Sequence, residues 1–261
     1  MNLDFYKKET LIRQKFPIPA SYLKYIAIIT MLIDHIGAAL LEREVWFFYE
    51  KYNMFDSIYT IDMILRSIGR IAFPLFAFMI AEGAIHTKNI QKYALRLVIF
   101  GIVSEVPFDW AFFDSPFYIE NNNVFFTLAI AVCTFMCIDK LKDVQFKYML
   151  SDQQIAGGEL VIFALGAILA QVLRTDYGAC GVIVIYVIYK SIQMGKKEIG
   201  FIISIVILVI MCGEIEKWAI FGLLPVYLYN GKRGKQNKYF FYIFYPGHLV
   251  MLAVLRNIIF R

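Results

Sequence analysis

The sequence is short of charge. Of its 261 residues only 18% are Asp, Glu, Lys or Arg, against 60% hydrophobic and 17% aromatic, and mean hydropathy is +0.62. Soluble domains run nearer half apolar and a quarter charged, and a compact core of this size cannot hide so much apolar surface. That excludes a soluble enzyme, a disordered chain and a collagen-like repeat. Cysteine is also scarce. Cys133, Cys137, Cys180 and Cys212 all sit inside apolar runs, with no metal-ligand spacing to a histidine and no loop framework to staple. They read as small buried hydrophobes, and no metal is expected. The basic residues come one loop at a time rather than in a stripe, so nucleic acid is not an expected partner. No internal repeat, linker or low-complexity segment divides the chain, and the polar amino-terminal residues show no cleavable signal pattern.

Long apolar runs fill the space that charge leaves. A membrane span needs about 20 such residues, and runs near 22–42, 67–86, 93–112, 123–139, 155–174, 178–195, 199–213, 217–230 and 239–259 predict about nine. The expected fold is an all-α polytopic transmembrane helix bundle, a single integral-membrane domain over 1–261 with the lipid bilayer as its surroundings. Residues 43–66 mix aromatics with charges and read as an interfacial segment lying on the bilayer. Lys and Arg alternate strongly between the two sides. One set of loops holds Lys7, Lys8, Arg13, Lys15 and Lys24, then Lys88, Lys92 and Arg96, then Lys140, Lys142 and Lys147. It continues with Lys190, Lys196 and Lys197, and with Lys232, Arg233, Lys235 and Lys238. The other set holds only Arg43, Lys51, Arg66, Arg174, Lys217, Arg256 and Arg261. The positive-inside bias predicts a cytoplasmic amino-terminal segment, 1–21, and an outer carboxyl terminus.

Ionisable residues inside spans cost several kcal/mol on insertion scales and are functional candidates. The first span carries Asp34 and His35, the second Arg70 and Glu82, the third Glu105 and Asp109, and the last His248; Asp176 lies at the mouth of the sixth. Apart from Asp176 the middle spans read as nearly apolar. Lys24 and His35 are eleven residues apart, three helical turns and about 16 Å. That spacing puts a cation at the cytoplasmic edge on the same stripe as an imidazole near the midplane. It suits an elongated donor with anionic groups inside and a reactive end reaching inward; a lysine before a span is also an ordinary topology signal. Asp34 points about a third of a turn away from His35, which leaves Glu82 or Glu105 to orient the imidazole. Pro74, Pro107, Pro225 and Pro246 fall inside spans, where each frees the carbonyl four residues earlier, and most lie beside the polar residues. Kinked helices around a polar central cavity are expected.

Several strings together resemble the TraX family, membrane proteins linked to amino-terminal acetylation of conjugative pilin. They are LKYIAIITMLIDHIGA (23–38), LRSIGRIAFPLFAFMIAEG (65–83), KYALRLVIFGIVSEVPFDWAF (92–112), NNVFFTL (122–128), LRTDYGACGV (173–182) and FYPGHL (244–249). That family in turn is similar to membrane acyltransferases that modify extracytoplasmic acceptors using acyl-CoA. Those proteins place a basic residue eleven positions before a first-span histidine, as Lys24 and His35 stand here. Their paired basic residues after a later span correspond to Lys92 and Arg96, spaced one residue wider.

The resemblance implies a multi-pass protein of the bacterial plasma membrane. It would move an acetyl group from acetyl-CoA, as co-substrate, to an extracytoplasmic acceptor: a peptide or pilin amino terminus, or a hydroxyl on a surface glycan or lipid. Imidazole titrates near neutrality, so His35 is the expected base or acyl carrier, with Asp34, Glu82, Glu105 and His248 completing the catalytic set. Lys24, Lys88, Lys92, Arg96 and Lys232 are expected to meet the CoA phosphates. Arg70, Asp109, Asn123, Asp176 and Tyr177 are expected on the acceptor side. A proton-coupled transporter is the principal rival, because buried carboxylates, histidines and broken helices are its signature too. An assembly factor using polar residues to hold its helices together is the other.

Overall fold

The computed structural model describes residues 16–52, 54–235 and 237–260. Expectations resting on Lys7, Lys8, Arg13, Lys15 and Arg261 lie outside the described residues, as do those on the side chains of Lys147 and Lys238. The described chain is all helical, with no β-strand beyond two isolated backbone bridges. The helices are α1 (Ala20–Ile36), α2 (Val45–Tyr52), α3 (Phe55–Gly69), α4 (Ala72–His86), α5 (Ile90–Phe113) and α6 (Val124–Tyr148). They continue with α7 (Asp152–Val172), α8 (Gly178–Gln193), α9 (Lys197–Cys212), α10 (Leu223–Leu228) and α11 (Lys238–Phe260). A π-helical stretch (Gly37–Glu42) extends α1, and a 3₁₀ stretch (Glu214–Gly222) runs into α10.

Local sequence explains several boundaries. Asn89 and Asn123 cap α5 and α6 by accepting backbone N–H groups, and Ser151 with Gln154 forms a reciprocal capping box on α7. Around Pro74 the helical path breaks at Arg70–Ile71, so this proline sits in the first turn of α4, where its missing N–H costs little. Helix α4 forms the centre of the bundle: Leu75, Ala77, Phe78 and Ala81 are fully buried against α1 and α8. The outer side of α7, by contrast, exposes Leu160, Val161, Leu165, Ile168 and Val172, an apolar face suited to lipid rather than water.

Five helical stretches among the described residues are long and apolar enough to cross a bilayer: Ala20–Glu42, Phe55–His86, Val124–Gln145, Asp152–Val172 and Tyr239–Phe260. Two expectations change here. Of residues 43–66, expected to lie on the bilayer, 45–52 form α2, whereas those from 55 on form α3, which packs along α1 and leads into α4 within a 32-residue stretch long and apolar enough to cross. Its charges made it look interfacial, yet Asp62 is buried and Arg66 turns inward to Asp34. The run at 217–230 is not one α-helix but the 3₁₀ stretch followed by α10. At about 2.0 Å per residue, against 1.5 Å in an α-helix, the 3₁₀ form lets few residues cover more distance.

Two other charges are paired between helices. Arg256, counted among outer-loop cations, is 2% exposed and donates to the carbonyls of Trp110 and Ala111 and to Asp114, tying α11 to the end of α5. The middle of the bundle is not free of charge either: Glu159 of α7 accepts hydrogen bonds from Tyr186 and Lys190 of α8.

Candidate functional site: two cavities on either side of one aromatic ring

Asp34 and His35 lie at the end of α1, on the wall of a cavity of about 650 Å³, termed outer after the side that the positive-inside bias predicts for it. Asp34 is the hub of its charge. It accepts from Arg66 at 2.5 Å and from Arg70, and Arg70 reaches Glu216 at 3.0 Å and the Tyr177 hydroxyl at 3.4 Å. Arg66 and Arg70 fall four residues apart on one face of the chain entering α4, and Gly69 beside them makes room for Asp34. A Cβ added at Gly69 would stand 2.2 Å from the Asp34 carboxylate. Burial of such charges is tolerable only because each is paired.

His35 and His248 meet directly, His35 Nδ1 to His248 Nε2 at 2.7 Å. The rings are 13° from parallel with centroids 5.0 Å apart, about what two imidazoles joined edge to edge by that contact require. The other His248 nitrogen, Nδ1, is 2.7 Å from the Phe244 carbonyl oxygen. A carbonyl can only accept, so His248 Nδ1 carries a proton. In a neutral pair His248 Nε2 is then the acceptor and His35 Nδ1 the donor. Among the described residues one nitrogen of the pair remains uncommitted, His35 Nε2, which holds a lone pair while its ring lines the cavity. Phe112 packs its edge on His35 at 5.1 Å, and Tyr245 flanks both rings.

The link between α7 and α8 completes the outer wall. Asn122 and Thr175 form a backbone bridge, with Asp176 N–H donating to the Asn122 carbonyl at 2.8 Å and Thr127 donating to the Thr175 hydroxyl at 2.9 Å. This docking puts Asp176 and Tyr177 on the cavity, where Tyr177 stacks on Phe73 at 3.7 Å. Enclosure by the surrounding helices pushes the Asp176 carboxyl up to about 6, opposed by the nearby Arg70 charge; because the side chain opens onto the cavity, water there works against that rise.

A second cavity, of about 550 Å³, lies at the other end of α1 and α4. Lys24, Arg96, Arg233 and His86 line it with several aromatics, and its carboxylate, Glu82, accepts from the Tyr229 hydroxyl at 3.0 Å. Lys24 sits over the Phe241 ring at 5.3 Å. The chain entering α1 is held there by backbone bonds to the 228–233 segment, including Ala20 N–H to the Lys232 carbonyl at 2.8 Å.

The structure therefore gathers His35, Asp34, Arg70, Asp176 and Tyr177 at the outer cavity, with His248 in contact with His35, and Lys24 and Arg96 at the inner one. It separates the rest. Glu82 belongs to the inner cavity and does not contact His35. Glu105 accepts from the Asn123 backbone at 3.2 Å and from its side chain, and Asp109 accepts from Tyr118 N–H at 2.7 Å. Glu105, Asp109 and Asn123 thus clamp the 114–123 loop to α5 and line neither cavity. Lys88, Lys92 and Lys232 do not line the inner cavity; Arg233, next to Lys232, does. Sequence reasoning missed Arg66, Glu216 and Arg233, each lying in a charged stretch that reads as a loop. The Arg66–Gly69–Arg70 spacing was the available signal for the first.

The chain is 28% identical over 261 residues to a protein of Dichelobacter nodosus described as probable fimbrial assembly protein FimC, serogroup H1, an alignment covering 90% of this chain and 94% of that one. No solved structure matches. The family model for TraX protein matches residues 20–256, which span both cavities and both histidines, and the chain belongs to the TraX family.

Proposed function

We propose that this protein is an acyltransferase of the bacterial plasma membrane, moving an acetyl group from cytosolic acetyl-CoA to an acceptor at the membrane or its outer side. The acceptor is an amine, a peptide or fimbrial subunit amino terminus before others, or a hydroxyl. In this reading the chain crosses the bilayer nine times with its amino terminus inside. Helices α3 and α4 make one crossing and the 3₁₀ stretch with α10 another, so the lysine-rich ends face the cytosol.

The observation that carries the reading is the oriented imidazole of His35, on a cavity whose neighbour at the other end of α1 is lined with cations. Lys24, Arg96 and Arg233 hold the CoA phosphates by charge-assisted bonds, and the acyl end reaches toward His35. His35 Nε2 accepts the acceptor's proton as its nitrogen or oxygen attacks the thioester carbonyl. Arg66 and Arg70, on the same wall, supply positive charge for the tetrahedral oxyanion. The carbon–sulfur bond then breaks, His35 returns its proton to the departing CoA sulfur, and the imidazole is neutral again.

Binding tests this without knowledge of the acceptor. CoA raises the unfolding temperature of the detergent-solubilised protein in proportion to the logarithm of its concentration above Kd, and Arg96→Ala with Arg233→Ala removes the shift. Absence of any shift at millimolar CoA overturns the donor site. A carrier is the second reading, favoured by two cavities at opposite ends of one bundle. Solute uptake into proteoliposomes with no acylated product would establish it instead.

A further inference from the structure

Among the described residues, Phe76 alone lines both cavities. It stands a third of the way along α4, where its neighbours Leu75 and Ala77 are fully buried while Phe76 itself retains exposed surface. The other α4 rings are held by aromatic partners, Phe73 by Tyr177 at 3.7 Å and Phe78 by Tyr229 at 5.6 Å. No such ring contact holds Phe76 among the described residues. A second aromatic contact joins the two walls: Phe125 on the inner cavity meets Tyr245 on the outer one edge to face at 5.0 Å.

We propose that Phe76 is the specificity-determining residue for the donor, restricting it to thioesters of small, unbranched acyl groups. The inference rests on the acyltransferase reading. A donor anchored by its phosphates in the inner cavity must send its acyl group past Phe76 before the carbonyl meets His35. The outer cavity cannot do the sizing: at about 650 Å³ it falls among pockets that hold an entire drug-sized molecule. Selection by size therefore belongs to the passage, where rotation of one aromatic side chain opens a slot wide enough for a thin pantetheine arm and an acetyl group. A branched or aromatic acyl group needs the ring removed rather than turned.

The test compares acetyl-CoA with isobutyryl-CoA and benzoyl-CoA as donors for the wild type, Phe76→Leu and Phe76→Ala. Shortening the ring is expected to raise the kcat/KM ratio of the bulky donors to acetyl-CoA about 10-fold or more in Phe76→Ala, with Phe76→Leu between, because one pocket methylene alone discriminates roughly 10- to 200-fold. An unchanged ratio with acetyl transfer intact overturns the sizing role and leaves the acyltransferase reading standing. A wild type that transfers no acyl group from any donor overturns both. A second readout needs no catalysis. Cys212 lines the outer cavity, and in sealed vesicles lacking Cys133 and Cys137 a membrane-impermeant maleimide should reach it from the outer side only. Phe76→Ala should add labelling from the inner side. Labelling from both sides in the wild type contradicts a closed partition at Phe76.

Discussion

The two cavities use charge in opposite ways. At the outer one Arg66 is answered by Asp34 and Glu42, and Arg70 by Asp34 and Glu216. At the inner one Lys24, Arg96 and Arg233 have no carboxylate partner among the described residues, and Glu82 is taken by Tyr229. A neutralised network fixes geometry, because moving any member strands a buried charge. An unmatched cationic surface is a receptor for an anion. The two ends of α1, at Asp34 and at Lys24, are thus built differently.

Variants at the outer cavity should break the protein in one of two ways, and those at the inner cavity in a third. His35→Ala should lower acyl transfer most, by about 10²- to 10⁴-fold, the range of a lost general base, while CoA still shifts the unfolding temperature. His248→Phe keeps an aromatic ring but releases His35 Nδ1, so a smaller fall in kcat with an unchanged acetyl-CoA KM is expected; a KM effect alone would place His248 in binding. Asp34→Ala leaves Arg66 with Glu42 alone and Arg70 with Glu216 alone and should lower the unfolding temperature, and Gly69→Ala should do likewise by forcing Asp34 aside. Inner-cavity changes should be mildest. Arg96→Ala with Arg233→Ala should raise the acetyl-CoA KM with little change in kcat, and weaken its salt dependence. Lys88→Ala, Lys92→Ala and Lys232→Ala should barely move either constant, which separates cavity cations from plain topology signals.

Much of this arrangement was readable in the sequence, and the unreadable part has a common cause. Helical periodicity and the cost of buried charge picked out His35 and His248 from opposite ends of the chain, although nothing in either segment says that they touch. The same cost argument misplaced Glu82, because α4 is long enough to carry one residue to each cavity and periodicity does not say which end of a span is meant. Glu105 and Asp109 were flagged as functional yet turn out to satisfy backbone N–H groups of a loop, a use of buried carboxylates that spacing cannot distinguish from catalysis. Arg66 and Arg256 read as loop charges because hydropathy averages over a window and cannot see one arginine folded back onto one carboxylate.

The claim on which the rest depends is that the free nitrogen of His35 works on a thioester arriving from the cationic side. Mass spectrometry of surface peptides and glycans from cells carrying the wild type or His35→Ala, at matched membrane levels, tests it most directly. An added acetyl group present with the wild type and absent with His35→Ala is the expected result. The same acetylated product in both would contradict it.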